Sequence, residues 1–389
     1  MIQFYKYRNA KTKILGSDAP DNTNTKVMRS KIYIIAFVFI CTCTQSKAQD
    51  SIRFYNDAYA VIDSMLTGKT SLSFKKAVFA TENAYFDGQL DDNKINNEIE
   101  ALVKLINAVS ATNPLVYNES DKDTVVKHAA IFRVLTDTIP IILDSTHVFF
   151  HTPYTYDFDD MWAQKDWTKM FVSKLLKTGN GNCHSMPYLY KMIAEELHVP
   201  AYLAFAPNHI YIKLHCKKTG WYNTELTSAT FPVDAWIMAS GYVNLDAIRN
   251  GLYMDTLSLK QSVAYCLLDL AQGYQRKFGK NNPEFVSKCC ETVLKYHPVN
   301  VNVMLTKAET QKRFIEAKMK TKSVKDPKVL FADHSIKVMY ADMEQTYVRL
   351  HQLGYRRMPE EMYLRWMGML KKEPDKYLDK KIIHKIVNQ

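Results

Sequence analysis

The chain offers no membrane span. Its apolar run, Ile32 to Thr44, is about thirteen residues, short of the roughly twenty a bilayer requires, which argues against a permanent anchor. There is no low-complexity tract, and after residue 48 no basic run interleaved with aromatics. The formal charge is +11, but residues 1–48 carry +6 of it, and the +5 left is too little to point to a nucleic-acid partner. From Cys183 to Cys216 no C-x-x-C or H-x-x-x-H pair occurs. Without such spacings, Cys183, His184, His209, His215 and Cys216 form a poor ligand set, and neither a metal nor another cofactor is expected. Asp157, Asp159 and Asp160 lie close together but lack the glutamate and glycine positions of a calcium loop, so they read as solvated or capping carboxylates. Cysteine is sparse as well: beyond Cys41 and Cys43 there are five, an odd number that excludes a disulfide scaffold and leaves at least one thiol unpaired.

What is present begins with an address. Met28 to Lys31 is a basic n-region, Ile32 to Thr44 an apolar h-region, and Ser46-Lys47-Ala48 a small-x-small cleavage site. Cleavage is expected after Ala48 or Gln49, with Met28 as the start, giving a secreted or periplasmic protein. Neither Cys41 nor Cys43 has the flanking residues of a lipoprotein site.

With 47% hydrophobic residues, the 389-residue chain can bury at least two cores. Three regions follow the leader at 1–48. Residues 49–148 carry helical stripes at Phe54, Ala58, Ile62 and Leu66, then at Ile95, Ile99, Leu102, Leu105, Ile106 and Val109, with a shorter helix suggested by 74–79. Val125 to Leu135 and Thr136 to Leu143 are apolar without a decisive period. Residues 149–256 mix helix and strand. Residues 257–389 are helical again. In that last region PEFVSKCCETVLKYHP resembles the back half of a tetratricopeptide unit, generic helical hairpins being an equal reading, and either could dock a protein partner.

The middle region holds the chemistry. Gly179-Asn180-Gly181-Asn182 is a turn-forming run that delivers Cys183 to a helix striped by Met186, Leu189, Tyr190, Ile193, Ala194 and Leu197. Pro187 is tolerated only in the first turn, which sets the cap near His184 or Ser185. Cys183 then meets exposed N–H groups and the positive end of the helix dipole, both of which favour thiolate. Two strands follow, broken at Pro207-Asn208. Ile210, Ile212 and Leu214 point one way and His209, Tyr211, Lys213 and His215 the other. After a turn at Lys217–Gly220, a partner strand puts Trp221, Asn223 and Glu225 on one face. Cys183, His209 and either Asn223 or Glu225 thus supply a nucleophile, a general base and an acceptor that fixes the imidazole tautomer.

These residues carry a resemblance. G-N-C before a helix, V-P-A-Y, an N-H step opening a strand and G-W-Y-N-T-E-L-T resemble the transglutaminase-like superfamily, a branch of the papain-like cysteine-nucleophile folds. The resemblance covers roughly residues 150 to 235. It implies an α+β fold, with a nucleophile helix packed on an antiparallel sheet and helical regions on either side. It implies Cys183 as nucleophile, His209 as base and Glu225 as acid, where the family has Asp. The extra methylene moves the carboxylate by about 1.5 Å, and Asn223 could orient the imidazole instead. The implied chemistry is acyl transfer on a peptide or protein amide through a thioester, by hydrolysis or by transfer to an amine. The oxyanion would be held by the Cys183 N–H and one further donor, with Trp162, Gln164 and Trp167 as candidates. His184 is expected to serve as a helix cap. The competing reading is a catalytically inactive module that acts with the C-terminal helices as a protein-binding scaffold.

Overall fold

The structure, a computed structural model, describes residues 51–112, 115–142, 144, 146–279 and 283–382. The leader lies outside the described residues. Among the described residues no helix is long and apolar enough to cross a membrane.

The fold is mixed α+β, with helices outweighing small sheets. Four helices open it: α1 (51–66), α2 (Phe74–Tyr85), α3 (Asp92–Thr112) and α4 (Lys122–Thr136). The stripes in 49–112 bury as their spacing predicts: Ile62, Leu66, Ile99 and Ile106 are each at most 1% exposed. The two stretches without a clear period become α4 and β1 (Ile139–Ile142). The latter pairs antiparallel with β2 (Val148–His151).

Two-residue strands β3 (Thr155–Tyr156) and β4 (Asn180–Gly181) then pair in parallel, bracketing a 3₁₀ turn at Trp167–Met170 and α5 (Val172–Thr178). After α6 (Ser185–Glu196), the strands β5 (Tyr202–Ala206), β6 (His209–Cys216) and β7 (Gly220–Thr224) form an antiparallel sheet in the order β5-β6-β7. Pro207 and Asn208 make the two-residue connection between β5 and β6, closed by the Ala206–His209 pair. Asn208 takes φ 57°, a left-handed conformation that asparagine tolerates. The predicted alternation holds, with Lys213 opposite Asn223 and His215 opposite Trp221. Apart from the exposed His215, both rows of β6 are nevertheless buried, because α6 packs on the sheet and further helices cover His209.

Short helices α7 (Asp234–Met238) and α8 (Leu245–Arg249) lead to α9 (Leu259–Phe278), whose start is closed by a Ser258–Gln261 capping box. Helices α10 (Pro283–Tyr296), α11 (Val301–Thr321) and α12 (His334–Gln352) pack as successive neighbours. The chain then runs through α13 (Glu360–Met367), α14 (Met369–Lys372) and α15 (Pro374–Tyr377).

This last stretch returns to the middle of the sequence. Val233 N donates to Tyr377 O and Asp379 N to Phe231 O, so the C-terminal segment pairs with residues 231–233. Trp236 of α7 and Trp366 of α13 stack at 4.4 Å, and each indole N–H donates to the other's backbone carbonyl. The segments 49–148, 149–256 and 257–389 accordingly share one buried cluster running from Tyr55 to Ile382. Trp366→Ala is expected to destabilise the protein by about 3–5 kcal/mol, since it removes a fully buried ring and leaves a cavity. Urea denaturation followed by circular dichroism measures this, and a loss under 1 kcal/mol would mean that the tryptophan pair does not anchor α13.

Candidate active site

Each residue from 179 to 185 is held for a separate reason. Gly179 ends α5 at φ 69°, the left-handed conformation a helix C-terminus favours. Gly181 cannot carry a side chain: a Cβ there would lie 2.6 Å from Ser185 Oγ and 2.7 Å from Leu175 Cδ1. Asn182 is fully buried, and its Oδ1 accepts from the N–H groups of His184 (3.0 Å) and Ser185 (3.1 Å), while its Nδ2 donates to Met161 O. Asn182 is therefore the cap of α6. The expected cap, His184, stands at the helix boundary but makes no capping bond. Its ring nitrogens are engaged elsewhere, 2.9 Å from Met170 O and 3.0 Å from Asp269 Oδ1. Between cap and helix sits Cys183, 8% exposed, with Pro187 in the first turn where its missing N–H costs nothing.

His209 opens β6 and faces the thiol. Its Nδ1 is 3.0 Å from the Tyr363 hydroxyl and its Nε2 2.5 Å from Glu225 Oε2, while the Cys183 thiol, which donates to Asn208 O at 4.0 Å, interacts with the ring electrostatically. Glu225 follows β7, where its backbone bridges Thr230, and its other oxygen accepts from Thr227 N (2.9 Å) and Thr227 Oγ1 (2.6 Å). His209 and Glu225 are 3% and 1% exposed. Burial alone would push the imidazole down. The Glu225 carboxylate and the Cys183 thiol outweigh it and lift His209 to about 10. Burial likewise raises the thiol, but the His209 contact wins and the thiol falls below its ordinary value. Both shifts act in the direction of a thiolate–imidazolium pair.

Among the other predicted residues, Asn223 is on the expected side of the sheet but serves a different purpose. Its Nδ2 donates to Pro232 O (3.0 Å) and Asp234 Oδ1 (2.8 Å), so the carboxylate, not the amide, meets His209. Trp162 packs on Tyr363 at 4.8 Å between ring centres. Trp167 lies under the Arg276 guanidinium, and Gln164 is exposed. His215 and Cys216 stand at the far end of β6, about 20 Å from His209 at strand rise, too far to share an ion with Cys183. Asp157 and Asp160 organise their own loop: Asp157 accepts from the Asp159 and Asp160 N–H groups, and Asp160 from those of Gln164, Lys165 and Asp166.

Sequence spacing did not indicate four aromatic residues. Tyr363 and Trp366, three apart on one face of α13, reach the site from 154 positions beyond His209. Trp236 and Trp366 both meet the imidazole edge-on. Tyr156, in β3, brings its hydroxyl to 3.4 Å from that of Tyr363. The aromatic i,i+3 pair in a short amphipathic helix was the available signal. Beside the triad opens a cavity of about 460 Å³, lined by Tyr156, Phe158, Thr227, Tyr363, Leu364 and Met367. It is apolar, and Phe158 and Leu364 are exposed at it.

Comparison with protein-family models, with curated proteins and with solved structures gave no match.

A reactivity profile follows from the two shifts. His209, raised, keeps its proton until the pH climbs through about 10. Cys183, lowered, keeps its charge until the pH falls through its depressed value. Alkylation of Cys183 by iodoacetamide is therefore expected to stay fast below the ~8.5 midpoint of a free thiol and to be lost on the acid side. Glu225→Gln removes what holds the imidazolium against burial and is expected to slow alkylation at pH 7 by about ten- to a hundredfold. An unchanged rate would mean that Glu225 does not set the charge of His209.

Proposed function

We propose that the protein is an exported cysteine-nucleophile acyl-transfer enzyme of the transglutaminase-like kind, acting on amide carbonyls of peptides or proteins. One observation carries the reading: a cysteine at a helix start lies within the electrostatic reach of a histidine that is hydrogen-bonded to a carboxylate, and all three are shut from water. Read as a signal peptide, residues 28–48 support a substrate outside the cytoplasm. Helices α9 to α12, packed in succession, are the surface on which we place a protein partner.

The chemistry runs as follows. The Cys183 thiolate attacks the carbonyl carbon, forming a C–S bond and an oxyanion. The Cys183 N–H at the helix start and the Tyr363 hydroxyl are the donors placed to hold that oxyanion. The His209 imidazolium gives its proton to the departing amine as the C–N bond breaks, leaving a thioester. His209, now neutral, takes a proton from water or an incoming amine, which attacks the thioester and releases the thiolate. Glu225 remains ionised and holds the ring in register throughout.

A second reading, an inactive scaffold, is favoured by one feature. Tyr363 is fully buried, and its hydroxyl lies 3.0 Å from His209 Nδ1 and 3.4 Å from that of Tyr156, so α13 covers the imidazole that serves the nucleophile. An acyl donor that needs no specific recognition separates the two. With p-nitrophenyl acetate, the enzyme reading expects acetyl-Cys183 by mass spectrometry and a rate lowered about 10²–10⁴-fold in His209→Ala. A thiol acetylated no faster than cysteine in solution, and indifferent to His209, favours the scaffold.

A further inference from the structure

His184 follows the nucleophile directly, and the function proposed above leaves it without a role. It is 7% exposed and lies between two oxygen atoms. Nδ1 is 2.9 Å from the Met170 carbonyl and Nε2 is 3.0 Å from Asp269 Oδ1. A carbonyl only accepts, and so does an ionised carboxylate. A neutral imidazole has one N–H, so it would set a lone pair against one of these oxygens; a doubly protonated ring donates to both. Asp269 is supported as a carboxylate in turn, its second oxygen accepting from the Tyr188 hydroxyl at 2.8 Å.

We propose that His184 is a fixed imidazolium, locked by Met170 and Asp269, that acts as a positioning charge for the Cys183 thiolate. This rests on the cysteine-nucleophile reading and adds a second cation to it. The two imidazoles differ in kind. His209 must release and recover a proton in each turnover, because one of its nitrogens faces the thiol. His184 has both nitrogens committed and faces no exchangeable partner, so its charge persists while His209 is neutral. That is the moment when the thioester opens and a thiolate must leave. Attraction between unit charges several ångströms apart in a partly buried site is large enough to matter at this step.

The neighbouring groups have been placed. Around His184 are the Tyr188 ring, tilted at 4.0 Å on α6, Asp269 on α9, and the buried Glu82 on α2, which accepts from the Val172 and Ser173 N–H groups and is pushed up by burial to about 7. Around Cys183 are His209 of β6, Tyr363 of α13, Tyr156 of β3 and Tyr265 of α9. Of these, only His209 and His184 are cations. Burial opposes the His184 charge, but the Asp269 carboxylate prevails and holds the ring above its ordinary value. His184 in turn lowers the thiol.

Asp269→Asn tests this with little change of shape, because an asparagine amide can still hydrogen-bond a neutral ring. The rate of Cys183 alkylation by iodoacetamide is measured in the full chain from pH 5 to pH 9, by mass spectrometry of the Cys183 peptide. The midpoint is expected to move upward, so that at pH 6 the variant reacts about three- to tenfold more slowly, with the curves converging near pH 9. His184→Gln is expected to behave alike. A slowing by the same factor at every pH indicates a structural role and overturns the proposal, as does an unchanged midpoint. If the wild-type thiol itself titrates like free cysteine, the underlying enzyme reading has failed instead. Should neither variant fold, ¹⁵N shifts of the His184 ring in the wild-type protein decide. Two imidazolium nitrogens at pH 7 support the proposal, and the split shifts of a neutral tautomer overturn it.

Discussion

The contact between the His209 imidazole and the Glu225 carboxylate, 2.5 Å long and closed to water, is what the surrounding structure is built to keep. Ionised groups in such a place cost several kcal/mol each unless they are paired and their remaining hydrogen-bonding positions filled. Here they are filled. Thr227 takes the second carboxylate oxygen, and the Tyr363 hydroxyl takes the other ring nitrogen. The turn at Pro207–Asn208 puts His209 at the first position of β6, and the bridge to Thr230 fixes Glu225 beyond the end of β7.

The C-terminal region is part of the site as well as a neighbour to it. Trp366 and Trp236 enclose the imidazole and exclude water from it, and Tyr363 reaches the thiol. Low local dielectric strengthens the His209–Glu225 pair and raises the cost of losing either member. The same burial acts on Cys183 in the opposite sense, favouring the neutral thiol, and the charge of His209, with that of His184, opposes it. Stability of the C-terminal helices and charge at the nucleophile are therefore linked.

Most of what positions Cys183 and His209 was legible in the sequence, because it is local. Turn formers at 179–182, a stripe at three and four residues from Met186, and alternation from His209 to His215 each depend on neighbours in the chain. The choice between Asn223 and Glu225 was not legible, since both lie on the side of the sheet that faces His209. What decided it was the competing pull of Pro232 O and Asp234 on the amide. His184 read as a cap because histidine at a helix start has that use. Its true partners, Met170 and Asp269, come from other elements and carry no mark in the local pattern. Tyr363 and Trp366 were hidden for the same reason, lying in an ordinary amphipathic helix more than 150 residues from the imidazole they touch.

The central claim is that Cys183 rests as a thiolate beside a charged His209. Ultraviolet thiolate absorbance at pH 7, taken as the difference between the wild-type protein and Cys183→Ser, measures that charge directly and needs no substrate. About one thiolate per chain is expected, with most of the difference lost when His209 is replaced by asparagine. No difference between wild type and Cys183→Ser at pH 7 would contradict the account.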